Sequence, residues 1–165
     1  MSHTSFLGIP VEGEITAGDR VPQRPLSELR PILTAVLDDE AIVEFGWQQY
    51  TPYFNDGEAC VFSAESFWAR TTEDDADDDW RDLAVGEYAD RHPTLGGRCL
   101  SDRGSYPRTE LPYEGDDEQR YERVRALADA VRGGGFGDVL LEAFGDHATV
   151  TVRRSGITVE FYDHE

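Results

Sequence analysis

Residues 43–62 read VEFGWQQYTPYFNDGEACVF. From Val43 the chain alternates, with Val43, Phe45, Trp47 and Gln49 on one side and Glu44, Gln48 and Tyr50 on the other, the period of a strand. Asn55, Asp56 and Gly57 then supply residues that accept the positive φ angles of a tight two-residue turn. With Asp56 and Gly57 at its centre, Phe54 opposes Ala59, Tyr53 opposes Cys60, Pro52 opposes Val61 and Thr51 opposes Phe62. One face then gathers Phe45, Trp47, Tyr53, Cys60 and Phe62 as a core face. Pro52 has no amide hydrogen to give, which places its strand at a sheet edge or at a bulge. Tyr50, Pro52, Phe54 and Glu58 are left on the outer side, near Trp68 if the chain folds back. An aromatic surface beside acids is the expected binding face.

A second hairpin follows from HATVTVRRSGITVEFY, residues 147–162, where Arg154, Ser155 and Gly156 turn two alternating strands. Helical periodicity fills much of the rest. LSELRPILTAVLDDE carries an apolar stripe of Leu29, Ile32, Leu33, Val36 and Leu37 behind Ser27 as N-cap. Asp38, Asp39 and Glu40 sit poorly at its C-terminal end, where the helix dipole favours cations. DWRDLAVGEYADRHP aligns Trp80, Leu83, Ala84 and Tyr88 as a second helix. DDEQRYERVRALADAVR aligns Tyr121, Val124, Leu127, Ala128 and Val131 before Gly133 stops it, and FGDVLLEAFG adds a short apolar helix. The expected fold is α+β: one domain over residues 1–165, a small antiparallel sheet of two hairpins packed with about four helices, and acidic loop insertions. A chain of this length buries roughly 70% of its unfolded surface around a single core. Residues 1–24 read as an irregular lead-in, 71–79 as a solvated, mobile acidic segment and 94–118 as a long loop.

The formal charge is −19, with 34 acidic residues against 15 basic ones, and every basic residue is arginine. Such a field repels phosphate backbones and anionic membranes, so the expected macromolecular partner is a protein with a basic surface, without direct nucleic-acid or membrane contact. Glu73, Asp74, Asp75, Asp77, Asp78 and Asp79 are the densest carboxylate run and join Tyr50, Pro52, Phe54, Glu58 and Trp68 as candidate binding residues. No apolar run approaches the ~20 residues of a membrane span and no basic leader opens the chain, so a cytoplasmic protein with Cys60 and Cys99 as reduced thiols is expected.

Evidence for catalysis is thinner. Gly133, Gly134, Gly135 and Gly137 follow a helix instead of a strand and lack a phosphate-binding lysine, so they read as a helix stop. The acidic run has neither the glycine nor the terminal carboxylate of a calcium loop. No Cys-x-x-Cys or His-x-x-x-His pair suggests a metal, and no cofactor is implied. HPTL at 92–95 and HATV at 147–150 share a His-x-Thr-hydrophobic form that resembles the paired signature of 2H phosphoesterases. The resemblance implies His92 and His147 as general acid and base, with Thr94 and Thr149 on the phosphodiester oxygens. Pro93 disfavours a central strand at the first copy, and the net charge opposes a phosphate ligand.

WQQYTPYFNDGEACVF and AFGDHATVTVRRSGITVEFYDHE together resemble a group of uncharacterised small acidic proteins encoded by tailed bacteriophages and some bacterial genomes. This resemblance implies a phage or prophage origin and an accessory or host-directed role, and it carries no catalytic residue. The leading expectation is therefore a non-enzymatic, acidic binding module that engages a basic protein surface, as an inhibitor of a host factor would. A 2H-like phosphodiesterase is one alternative. A virion or assembly component whose partner is another copy of itself is the other.

Overall fold

The computed structural model describes residues 5–14, 21–53, 57, 60–86, 91–99 and 109–163. Its elements run β1 (Ser5–Phe6), β2 (Ile9–Pro10), α1 (Leu26–Leu37), β3 (Ile42–Tyr50), β4 (Ser63–Thr71), a 3₁₀ turn (Trp80–Leu83), α2 (Glu118–Arg132), α3 (Gly137–Phe144), β5 (Ala148–Arg153) and β6 (Gly156–Phe161). β3 to β6 form one antiparallel sheet in the order β4-β3-β5-β6, while β1 and β2 form a separate, fully exposed hairpin in the lead-in. The class is α+β, with the two hairpins joined where β3 lies beside β5. No helix among the described residues is long and apolar enough to cross a membrane.

One face of the sheet carries the core. Phe45 and Trp47 of β3, Phe67 and Ala69 of β4, and Ala148, Val150 and Val152 of β5 meet Leu29 and Val36 of α1, Leu140 of α3 and the whole predicted stripe of α2. That stripe buries completely because Tyr121, Val124, Leu127, Ala128 and Val131 recur at helical spacing, and Asp117 caps it by accepting from the Arg120 amide. Of the three acids at the end of α1, Asp39 finds cations from elsewhere, while Asp38 and Glu40 stay exposed. Arg120 and Arg123 of α2 bond Asp39, and Arg154 of the β5–β6 turn donates to the carbonyls of Leu37, Asp39 and Ile42. These bonds satisfy a helix end that would otherwise leave orphan acceptors beside like charge.

The first hairpin keeps its predicted register but not its tight turn. Tyr50 pairs Ser63, Gln49 pairs Ala64 and Gln48 pairs Glu65, which is the same alignment as Thr51 opposite Phe62 carried back along the ladder. Pairing stops at Tyr50 and Ser63, however, just before Pro52 removes a donor. Gly57 has the expected positive φ of 74°, while Phe54, Asn55, Asp56, Glu58 and Ala59 lie outside the described residues. Two register shifts redistribute the faces. The shift between Ile42 and Glu44 buries Ile42 and leaves Val43 exposed, and the one between Gly46 and Gln48 coincides with Ser66 at φ 59°. Because pairing ends at Tyr50, the expected core face loses Tyr53, which is 69% exposed, and Cys60, also exposed. Gln49, on the side of Phe45 and Trp47 as the alternation predicts, is fully buried, accepts from Trp47 Nε1 at 2.9 Å and donates to the Leu140 and Gly145 carbonyls.

The helix expected from Trp80 to Tyr88 shrinks to a single 3₁₀ turn. Leu83 and Val85, both buried, alternate instead of following a helical stripe, because the chain straightens at Ala84 to bridge Trp68 of β4. Tyr88 lies outside the described residues. Among the described residues there are thus three α-helices where about four were expected. Within the expected long loop, Gly97 pairs Glu114 and the Tyr113 hydroxyl donates to the Leu95 carbonyl, so both described flanks are tied to the body.

Candidate functional site

The acidic run from Glu73 to Asp79 was expected to be mobile, and it is instead a tied turn. Arg70 donates to the carbonyls of Asp75 and Asp78, and the Asp75 amide donates to the Asp78 carboxylate. Asp79 accepts from the Arg81 amide as the cap of the 3₁₀ turn and pairs with the Arg81 guanidinium. Asp74 points inward: its side chain is 2% exposed, and its Oδ2 accepts from the Thr71 amide at 2.9 Å and the Thr94 hydroxyl at 3.0 Å. Three of the six expected binding carboxylates are therefore structural. Glu73, Asp75 and Asp77 keep outward carboxylates with no partner among the described residues.

His92 belongs to the same network. Its side chain is 1% exposed, its Nδ1 accepts from the Leu95 amide at 3.0 Å and the Thr94 amide at 3.2 Å, and its Nε2 lies 2.7 Å from the Ala69 carbonyl. Two amides donating to Nδ1 leave the proton on Nε2, which donates to Ala69. The ring is thus neutral and spent. Burial lowers its pKa and outweighs the opposing pull of the Ala69 carbonyl and the Asp74 charge. Through this ring the 92–95 turn closes the outer edge of β4, which the Val85 amide also covers by donating to the Phe67 carbonyl.

Around this buried network runs a shallow acidic rim. Asp38, Asp39, Glu40, Arg120 and Arg123 line one depression; Glu73, Thr94, Asp116, Asp117 and Arg120 line the next. A third continues past Thr94 and Asp116 to Glu114 and Arg91, which pair with each other. Arg120 and Arg123 are committed to Asp39. Burial opposes ionisation of Asp39, but bonds from Arg120, the Ala41 amide and Arg123 outweigh it and hold the carboxyl below its ordinary range. Asp38, Glu40, Glu73, Asp75, Asp77 and Asp116 are exposed and carry no hydrogen bond or ion pair on their carboxylates among the described residues.

His147 stands elsewhere. It precedes β5 beyond the Gln49–Ala148 pair, whereas His92 caps Ala69, which faces Phe45. Five residues of β3 separate those levels, roughly 16 Å at the rise of a strand. The two imidazoles share no cleft, so the paired acid–base arrangement expected of the His-x-Thr motifs is not assembled. Thr149 sits half-buried on β5 opposite Gln48 and Glu160, whereas Thr94 bonds Thr71 at the level of Ile42.

At that far end an aromatic cluster forms instead. His147, at φ 56°, stacks on Tyr53 with centroids 4.8 Å apart and lies near Tyr50 and Phe161. Its Nδ1 is buried without a hydrogen-bond partner, and its backbone amide donates to Asp146. Asp146 also accepts from the Thr51 amide; these bonds overcome the cost of its burial and keep its carboxyl below the usual range. Tyr50 was placed on the outer face, yet it is buried against Tyr162 and donates to Glu65 at 2.8 Å. Burial and that carboxylate push its hydroxyl up to about 12. Trp68, likewise expected at the surface, is only 8% exposed, beside Gly46 and under the Arg70 guanidinium. Pro52 is half-buried, and Phe54 and Glu58 lie outside the described residues. Among the described residues of this cluster, Tyr53 and Phe161 are the exposed aromatics.

No protein-family model, curated protein or solved structure matches the chain. Among the described residues no group of three or more His, Cys, Asp or Glu side chains is placed to hold a metal ion. The sequence reading did not single out Thr71 or Asp39. The Asp-rich stretch hid which acid turns inward, and only the position of Thr94 beside Asp74 shows it.

Proposed function

We propose that the protein is a non-enzymatic acidic binding module whose rim engages a basic surface of another protein. The observation that carries the reading is the set of exposed carboxylates unpaired among the described residues: Asp38, Glu40, Glu73 and Asp116 along the rim, with Asp75 and Asp77 on the turn that follows Glu73. Nearby arginines are consumed internally, so the rim keeps its full charge on a chain of net −19. Carboxylates held on tied turns lose little entropy on meeting guanidinium or ammonium groups, and their long-range field speeds encounter. The sequence resemblance to acidic proteins of tailed phages supports a host-directed role, such as occluding a basic site on a host factor.

The test is affinity capture from a lysate of the native host with the intact chain and with a variant carrying Glu73→Gln, Asp75→Asn, Asp77→Asn and Asp116→Asn. Complexes should weaken steeply between about 0.05 M and about 0.5 M salt, as the screening length shrinks. They should also be lost with the variant. Capture indifferent to both salt and the four substitutions sinks the proposal. Asp74 is kept intact because its loss would damage the turn itself.

A further inference from the structure

The two edges of the sheet are treated differently. β4 is closed by the Val85 amide and by His92, but β6 has every residue exposed along Gly156–Phe161. Arg153 pairs Gly156 across a two-residue turn, and the Tyr162 amide donates to His147. This alternation turns the amides and carbonyls of Gly156, Thr158, Glu160 and Tyr162 toward β5 and those of Ile157, Val159 and Phe161 outward. The outward groups meet no partner among the described residues. The same three side chains are 49%, 47% and 73% exposed, although they lie on the face whose β5 partners Val152, Val150 and Ala148 are core. Natural edges are usually blunted by a charge, a proline or a cover; this one has an apolar row and open hydrogen bonds.

We propose that β6 pairs antiparallel with β6 of a second copy of the chain, joining two sheets about a two-fold axis at Val159. Only this register uses every outward group. Val159 faces Val159 of the second copy, Ile157 faces Phe161 of the second copy, and Phe161 faces Ile157 of the second copy, each pair exchanging two N–H···O bonds. The apolar row then meets itself on one face, while Thr158 faces Glu160 of the second copy on the other. Arg153 and Arg154 at the turn end of β6 are engaged within the chain, Arg153 with Glu44 and Arg154 with the carbonyls of Leu37, Asp39 and Ile42, so the apolar row and the open backbone groups, not charge, make the contact. None of the unpaired rim carboxylates lies on β6 itself. The copies repel as wholes, each carrying −19, so added salt strengthens this association. That dependence is opposite in sign to the one expected of a basic partner on the rim.

The experiment is sedimentation of the full chain from about 10 μM to about 500 μM at low and high salt. The mass should rise from 18.5 kDa toward twice that value with concentration, more readily at high salt. Val159→Lys sets like charges face to face on the axis and should weaken association at least about tenfold. Its melting temperature should be unchanged, since Val159 is already half exposed. Register is read with Val159→Cys in a Cys60→Ser, Cys99→Ser background. Hydrogen-bonded antiparallel pairs hold Cα atoms about 5.5 Å apart, within disulfide range, so this variant should cross-link far faster than Thr158→Cys. A chain that stays monomeric at every concentration and salt overturns the proposal, as does a dimer that ignores Val159→Lys or one that salt dissolves. A monomer whose capture of a basic protein is abolished by Val159→Lys would assign the edge to that partner instead.

Discussion

Replacing His92 separates a structural histidine from a catalytic one. His92→Ala removes the ring that bonds the Ala69 carbonyl on the outer edge of β4 and strips the Leu95 amide of its acceptor, in a site where the ring is 1% exposed. Each buried group left unpaired costs about 1–3 kcal/mol, and the missing ring leaves a cavity, for a total of about 3–5 kcal/mol. That is a large share of the 5–15 kcal/mol typical of a domain. His92→Gln can still offer an N–H to Ala69 and should cost less. The pH dependence is more diagnostic. Burial lowers the pKa of His92 in the folded chain, so the unfolded chain binds the proton more readily. The stability from the neutral ring is complete above the unfolded value of ~6.5 and is lost as pH falls below it, by up to about 1.4 kcal/mol per pH unit. The Asp74 carboxylate 3.9 Å away makes the actual slope shallower than this limit. Urea unfolding of the wild type and His92→Gln from about pH 7.5 to about pH 5.5 isolates the effect, because the carboxylates common to both cancel in the difference. A difference that does not change over this window, or a cost of less than about 1 kcal/mol for His92→Ala, would refute the assignment of a neutral, bonded ring.

Two further substitutions probe how the sheet is held. Gln49→Leu fills the same space but leaves Trp47 Nε1 and the Gly145 carbonyl without their Gln49 partner and removes a second donor from the Leu140 carbonyl, so thermal unfolding should move down by roughly 10 °C, equivalent to about 3–4 kcal/mol. Gly46→Ala puts a Cβ against the Val150 carbonyl and the Trp68 indole; backbone cannot yield as a flexible side chain would, and a loss of about 2–3 kcal/mol in urea unfolding is expected, with less than about 1 kcal/mol showing that β3 and β5 can move apart there.

Where one period dominated, local pattern was enough. The stripe of α2 and the β5–β6 hairpin were legible because every third or fourth, or every second, residue was apolar over a long enough run. Val43 was misplaced because a bulge changes which residue faces inward without altering the composition that a pattern reads; Tyr50 was misplaced because distant Tyr162 covers it, and Tyr53 because strand pairing ends at Tyr50. Trp80 to Val85 read as helical from its local spacing, but the open edge of β4 drew the chain at Ala84 and Val85 into an extended path. The carboxylate run was legible as charge but not as roles. Asp74, Asp78 and Asp79 look like Asp75 and Asp77 in the sequence, and differ only in which amides and hydroxyls lie within reach.

The amino-acid sequence alone determined the α+β class, the apolar faces of its longest elements and a field that disfavours anionic partners, since these follow from periodicity and summed charge. Tertiary structure alone decided that His92 and His147 stand apart, that one sheet edge is sealed and the other open, and which carboxylates remain unpaired. Each of these depends on hydrogen bonds between residues far apart in the chain, whose formation is set by packing and cannot be read from local composition.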